Sequence, residues 1–129
     1  MDAAQALSDL TEISSQIEAA VVLDVDGSAL ASTLDESRSA DLARTAQELL
    51  AAVGRASGDG GKELAQLEIA TTDGSVFVVR DEHRTIAATT GPEPTVGLVF
   101  YDLKSCLRGA APEPEKPKRR RTKESSGEA

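Results

Sequence analysis

The stretch at residues 19–32 most constrains the fold, because two short apolar runs meet there at an Asp-Gly pair. The runs cover residues 20–25 and 28–33, and Asp26-Gly27 lies between them. Asp-Gly between alternating apolar runs is typical of a β-hairpin, since a type I′ turn needs positive φ at both central residues. The sequence therefore predicts two antiparallel strands joined at Asp26-Gly27.

Helical periodicity predicts a helix before the hairpin, over residues 4–18. Its apolar side chains recur at spacings of three and four: Leu7, Leu10, Ile13 and Ile17. A second helix runs to about Ser57, and Ser37 or Ser39 can cap it. Its main apolar face consists of Leu42, Ala46, Leu49 and Val53. A third helix covers residues 95–108, with Thr95 as its cap.

Three further strands are predicted between the second and third helices, over residues 63–71, 75–80 and 84–90. A glycine-rich loop, residues 58–61, precedes them, and Asp73-Gly74 repeats the hairpin chemistry. The order α-β-β-α-β-β-β-α predicts an α+β sandwich, in which helices pack on the faces of one five-stranded antiparallel sheet. We expect this domain to cover residues 1–108, followed by a disordered tail at 109–129 that is rich in Pro, Glu, Lys and Arg.

The charge distribution argues against a nucleic-acid-binding domain. Residues 1–108 carry 8 Lys or Arg and 18 Asp or Glu, whereas residues 109–129 carry 6 and 4. Proteins that bind single-stranded nucleic acid use several aromatic side chains to stack on the bases, and this chain has only Phe77, Phe100 and Tyr101. The basic run at residues 116–123 is either a solvated tail or a contact for an anionic partner.

The sequence predicts a cytoplasmic protein without a membrane span. No apolar run approaches 18 residues, and the first residues do not resemble a signal peptide. The one cysteine, Cys106, excludes an internal disulfide, and its place in an amphipathic pattern predicts a small buried apolar side chain.

Asp24-Val25-Asp26-Gly27-Ser28 resembles the nucleophile motif of haloacid dehalogenase-type phosphatases, which bind Mg²⁺ beside two aspartates. That chemistry needs a parallel sheet with long crossovers, whereas the strands here follow each other through short turns. The turn interpretation is therefore favoured, and a phosphatase fragment using Asp24 and Asp26 is kept as an alternative. His83 lies in a predicted exposed turn without neighbouring ligands, so we expect no metal, no cofactor and no catalytic residue.

Two features of the pattern indicate self-association. The second helix has apolar residues beyond its main face, and the strand at residues 63–71 is a candidate sheet edge. We therefore predict a dimer interface formed by Ala43, Leu50, Ala51, Leu67, Glu68 and Ile69.

The succession of elements resembles the Roadblock/LC7 family over residues 4–108. The matching segments are Leu7-Ser8-Asp9-Leu10 before residues 20–27, the helix at residues 42–53, residues 67–69 before residues 73–78, and Val96-Gly97-Leu98-Val99. The resemblance implies a homodimer or heterodimer in which the second helices pair and the third strands join into one sheet. The alternative is an α/β sandwich that binds a small ligand or another protein and has no GTPase partner.

The resemblance also implies a partner. Members of this family bind small Ras-like GTPases, as scaffolds or as activators of GTP hydrolysis, and bacterial members accompany a GTPase in polarity, motility or sensor-kinase systems. The family shares no catalytic residue, so the resemblance implies a regulator that is not itself an enzyme. The expected GTPase-facing residues are polar side chains of the second helix: Arg38, Arg44, Gln47, Glu48 and Arg55.

Overall fold

In the described residues, five strands form one antiparallel sheet and three helices cover its two faces, as the sequence predicts. The computed structural model describes residues 2–57 and 65–110. Its elements are α1 Ala3–Ile13, β1 Ile17–Leu23, β2 Ala29–Ser32, α2 Glu36–Ser57, β3 Ala65–Thr71, β4 Gly74–Arg80, β5 Thr85–Thr90 and α3 Val96–Ala110. The predicted glycine-rich loop, the start of the predicted third strand and most of the predicted tail lie outside the described residues.

The strand order is β2-β1-β5-β4-β3, so the two hairpin systems of the chain meet at the centre of the sheet. There β1 pairs with β5, with Val21 opposite Ala87 and Leu23 opposite Thr85. On one side β2 pairs with β1, and on the other β3 pairs with β4. Among the described residues, β2 and β3 are therefore the edge strands.

The sheet separates the core into two layers, because neighbouring strand residues point to opposite faces. Val22 and Phe77 lie in the layer under α1 and α3, whereas Val21 and Val78 lie in the layer under α2. The Phe77 and Phe100 rings contact edge to face, with centroids 5.0 Å apart. All three helices are thus held by burial against the same sheet.

The first helix is shorter than predicted. It ends at Ile13, and Ser14 caps it by donating its backbone N–H to the Leu10 carbonyl. Ile17 belongs to β1, where it lies opposite Thr90, and Ile13 is exposed. The helical spacing of Ile13 and Ile17 is therefore coincidental, and pairing with β5 decides the conformation of residue 17.

The turn between β1 and β2 is real, but its predicted class is wrong. Gly27 has positive φ, whereas Asp26 does not. The Gly27 N–H donates to the Asp24 carbonyl, and the Asp24 N–H donates to the Ser28 carbonyl. This bonding closes a three-residue loop instead of a two-residue type I′ turn. Val25 consequently lies exposed at the tip, outside the predicted strand face.

Helix α2 begins earlier than predicted, and its cap is Asp35. The Asp35 carboxylate accepts the Arg38 backbone N–H at 2.9 Å, and the Asp35 carbonyl accepts that of Ser39. The prediction that Ser37 or Ser39 caps this helix was therefore wrong. At the other end of the chain, α3 continues past Arg108 to Ala110, which is buried in the core. The third helix thus ends two residues later than predicted.

Candidate interaction surfaces

Strand β3 presents an open edge. Among the described residues it pairs with β4 alone, with Leu67 opposite Val78 and Ile69 opposite Val76. Most of the strand is exposed, including Glu68 and Ile69. Such an edge offers unpaired N–H and C=O groups to a further strand.

An apolar surface adjoins this edge on the α2 side of the sheet. Helix α2 packs mainly against β1, β2 and β5, so β3 and β4 are less covered on that face. Leu49, Leu67 and Val76 pack against the α2 layer of the core but stay only partly buried. Ile69 shares their face, because it alternates with Leu67 along β3, and it is 43% exposed. We call these four side chains the β3 apolar surface.

The predicted interface residues do not all lie on this surface. Leu50 is only 4% exposed and belongs to the core under α2, so the expectation that it lies beyond the core-facing stripe was wrong. Ala43 is half-buried and Ala51 is exposed. Glu68 points to the other face, with its carboxylate 3.5 Å from the Ser75 hydroxyl.

The surface also contains a residue that the sequence interpretation missed. Val76 was assigned only to a strand, yet the register of the β3–β4 hairpin sets it opposite Ile69. The turn at Thr72-Asp73 fixes this register, since Thr71 lies opposite Gly74. A turn centred on Asp73-Gly74, as the sequence predicts, would instead set Ile69 opposite Val78, so the Asp-Gly signal places this turn one residue too late.

The five polar residues predicted to contact a GTPase are all exposed on α2. Two of the arginines already have acidic neighbours one turn away, in the pairs Arg38–Asp35 at 3.4 Å and Arg44–Asp41 at 2.9 Å. Gln47 lies beside the β1–β2 turn, where a Cβ atom on Gly27 would come 2.5 Å from its amide nitrogen. Arg44 and Glu48 are four residues apart and share one face with Arg55, whereas Arg38 and Gln47 lie on the two flanks.

The Asp24–Ser28 segment is built as a turn. Asp24 Oδ1 accepts the Val25 N–H at 2.8 Å, and Asp26 Oδ1 accepts the hydroxyl of Ser28 at 2.6 Å and its N–H at 2.9 Å. These two hydrogen bonds from Ser28, of which that from the hydroxyl has the larger effect, stabilise the ionised carboxylate and lower the pKa of Asp26 from its usual value. Every strand pair in the described residues is antiparallel, so the scaffold of the resembled phosphatases is missing there.

Two properties of the described residues bear on other functions. Nowhere in residues 2–57 and 65–110 do three or more His, Cys, Asp or Glu side chains cluster so that they could hold a metal ion. None of the helices described combines the length and the apolar character that crossing a membrane requires.

Solved structures with the same fold include proteins from Streptomyces avermitilis and Myxococcus xanthus. A Roadblock/LC7 domain from Streptomyces avermitilis superposes with a TM-score of 0.71 at 22% identity, over 84% of this chain and 94% of that one. A second structure of such a domain from this organism gives 0.63 at 21% identity, over 81% and 94%. Myxococcus xanthus MglB gives 0.56 at 14% identity, over 84% and 88%.

Sequence comparison identifies the family independently of the structure. No curated protein matches the chain. The family model described as the Roadblock/LC7 domain, however, matches residues 3–90, from the first residue of α1 to the last residue of β5. With its sheet order and its three helices, the chain belongs to the Roadblock/LC7 domain family.

Proposed function

We propose that this protein is a cytoplasmic homodimeric module that binds a small Ras-like GTPase and regulates or scaffolds it. The family match over residues 3–90 carries the proposal, because small GTPases are the partners that the resemblance implies. A regulatory role associated with a GTPase is supported by the family match, whereas the dimer and its binding surface are supported by the open β3 edge and the exposed face of α2.

The dimer would form at β3. Two copies related by a two-fold axis can pair their β3 edges antiparallel, which supplies the hydrogen bonds that an edge strand lacks. The β3 apolar surface would be buried in the same step, since it adjoins that edge. Burial of Ile69 and Leu67 contributes hydrophobic free energy, and the strand pairing specifies the register.

A dimer built in this way would place two copies of α2 near the two-fold axis. The outward face of α2 carries Arg44, Glu48 and Arg55 and would be doubled there, giving one composite polar surface across the two-fold axis. The residues of the described chain carry an excess of acid over base, so a partner with a basic surface would be attracted over a distance.

The proposed role is not catalytic in itself. The family resemblance supplies no catalytic arginine, and Arg38 and Arg44 lie in exposed pairs with Asp35 and Asp41, so no arginine is assigned to the transition state of GTP hydrolysis. Any acceleration of hydrolysis would then come from positioning the GTPase's own residues. This role needs no metal or cofactor bound to the module.

Calorimetry with small GTPases of the source organism tests the proposal. Each GTPase would be loaded with GDP or with a non-hydrolysable GTP analogue and titrated with the full chain. We expect saturable binding with a preference between the two nucleotides. Stopped-flow mixing of the same proteins should give association rates that fall as salt concentration rises. Equal affinity for the GDP-loaded and GTP-loaded GTPase would be compatible with a scaffold role but would exclude sensing of the nucleotide state. A folded protein that binds none of these GTPases would contradict the proposal and favour an α/β sandwich with another ligand.

A further inference from the structure

A groove of about 340 Å³ runs between α1 and α3, on the sheet face opposite α2. The two helices are antiparallel, because the Thr95 N–H at the start of α3 donates to the Gln16 side chain just after α1, at 2.6 Å. Ala6 and Gly109 line one end of the groove, and Ile13 and Tyr101 line the other. The described part of the chain ends at Ala110, directly beside the first of these ends.

Asp102 lines this groove and is an unusual residue there. It is only 8% exposed, and no described residue provides a hydrogen bond or an ion pair to its carboxylate. Asp9 lies across the groove on α1, where its carboxylate accepts one hydrogen bond from Gln5 at 3.0 Å. The carboxylate oxygens of Asp102 keep contact with solvent at the groove, so a cationic group placed there would meet an unpaired negative charge. The groove therefore favours a positively charged occupant.

The apolar part of the groove fits the same kind of occupant. Ile13 is 73% exposed and Tyr101 is 64% exposed, although both are large apolar side chains. Lysine and arginine carry long aliphatic stems that cover apolar surface while the charged end stays free. An arginine can also lie over the face of a tyrosine ring. Two acidic groups and two exposed apolar side chains together suit a basic peptide segment.

The chain itself supplies such a segment. Residues 116–123 contain six Lys or Arg. Along α3, Gly109 and Asp102 are about 10 Å apart at ~1.5 Å per helical residue. Residues 111–115 contain two prolines and span about 15 Å when extended, at ~3.1 Å per residue. This length is sufficient to bring Lys116 back along the groove to Asp102.

We propose that the basic segment at residues 116–123 binds in the α1–α3 groove of its own chain, with a cationic side chain against Asp102. Because the connection is short, the local concentration of the segment is in the millimolar range, and modest affinity suffices for occupancy. The contact is electrostatic and partly exposed, so salt weakens it. It uses the face opposite α2 and is independent of the proposed dimer.

A charge-removal experiment on the full chain tests this. Asp102→Asn keeps the shape of the side chain, and we expect it to lower the Tm by about 4–8 °C at low salt, the shift for an interaction of ordinary strength in a domain this small. In a chain that also carries Arg119→Gln, Arg120→Gln and Arg121→Gln, the same substitution should have little effect. Asp73→Asn, in the exposed β3–β4 turn, is the matched control and should leave the Tm unchanged in both backgrounds.

The opposite result is equally specific. If the Asp102 carboxylate has no cationic partner, Asp102→Asn removes an unpaired charge from a chain with excess acid, and the Tm stays the same or rises in both backgrounds. That outcome would overturn the proposal, whatever happens with the control.

Carbodiimide cross-linking gives a second measurement that does not depend on stability. It joins lysine amines to carboxylates in contact, and mass spectrometry locates the bonds. We expect Lys116, Lys118 or Lys123 to be joined to Asp9 or Asp102 within one chain, and the products to disappear at high salt. A mixture of light and heavy isotope-labelled chains distinguishes this from exchange between copies. Cross-links between chains, cross-links spread evenly over the acidic surface, or none at all would each contradict the proposal.

Discussion

The Arg84 guanidinium lies 3.5 Å from the Asp24 carboxylate, although the two residues are sixty positions apart in the chain. Asp24 follows β1 and Arg84 precedes β5, and these strands are neighbours, with Leu23 opposite Thr85. The arginine is largely buried, so the pair is partly protected from water. It ties the β1–β2 turn to the β4–β5 turn at one end of the sheet.

This pair predicts a structural effect for Asp24→Asn. The substitution leaves Arg84 without its carboxylate, and we expect a loss of about 1 kcal/mol of unfolding free energy in urea denaturation, between the values for exposed and buried pairs. The wild-type chain with Mg²⁺ should not hydrolyse an aryl phosphate. Hydrolysis that Asp24→Asn abolishes would instead revive the phosphatase alternative.

The backbone at Gly27 predicts a larger effect. Its φ of 91° is unfavourable for a side chain with a branched Cβ, so Gly27→Val should cost more than ~1–2 kcal/mol. Gly97→Ala is the matched control, because a Cβ at Gly97 meets no atom within 4 Å and the residue is helical. That change should raise stability by about 0.5–1 kcal/mol. Equal effects of the two substitutions in thermal unfolding would show that the turn does not need glycine.

The proposed dimer predicts that Ile69→Glu gives a monomer. A charge in the centre of the joined β3 edges would be desolvated without a partner, which costs several kcal/mol. Light scattering after gel filtration, at tens of micromolar protein, measures the mass directly. Leu50→Glu is unsuitable for this test, since Leu50 is a core residue and its replacement would unfold the chain.

Leu98→Glu is the control for the dimer experiment. Leu98 is 49% exposed, close to the 43% of Ile69, but it lies on α3 instead of the β3 edge. The control should stay dimeric. A wild-type monomer, or dissociation in both variants, would contradict the proposed interface.

The Cys106 thiol should be unreactive in the folded protein. Burial, and to a smaller extent the charge of Asp9, raises the pKa of Cys106 to about 11 from 9.0. At pH 8 the thiolate fraction is then lower than in the unfolded chain by on the order of 100-fold, and iodoacetamide should react more slowly by at least that factor. Because the folded state holds this proton more tightly, its stabilising contribution is complete below pH 9 and is lost as the pH rises towards 11. Equal alkylation rates with and without denaturant would refute this.

Two truncations test where the folded part ends. A chain that stops at Arg108 lacks Ala110, which is buried, and should melt about 4–8 °C below a chain that stops at Ala110. Both lack the basic segment, so the comparison is independent of its binding. Equal melting temperatures would mean that the last residues of α3 add nothing to the core.

The sequence predicts the order and type of every element, because the apolar periods of helix and strand differ clearly in most segments. It fails where the two periods overlap. Ile13 and Ile17 continue the spacing of Leu7 and Leu10, so only the pairing of residue 17 with β5 reveals the end of the helix. Long-range pairing of this kind leaves no local signal in the sequence.

The candidate surface is predicted less completely. The edge strand and Ile69 follow from alternation and from the position of β3 after a long helix. The mistake at Leu50 has a simple cause: α2 has apolar residues on more than half of its circumference, and periodicity cannot tell which part of that stripe faces the sheet. Only the packing of α2 on β1, β2 and β5 settles it.

The seam between β1 and β5 has a consequence for folding kinetics. Each hairpin joins residues that are close in sequence and can form within ~1–10 μs. Pairing of β1 with β5 instead closes a loop that includes β2, α2, β3 and β4. The conformational entropy of this loop must be lost before the central strands gain their contacts. Neither half completes the core alone. We therefore expect a single cooperative folding step, whose rate is set by the meeting of β1 with β5.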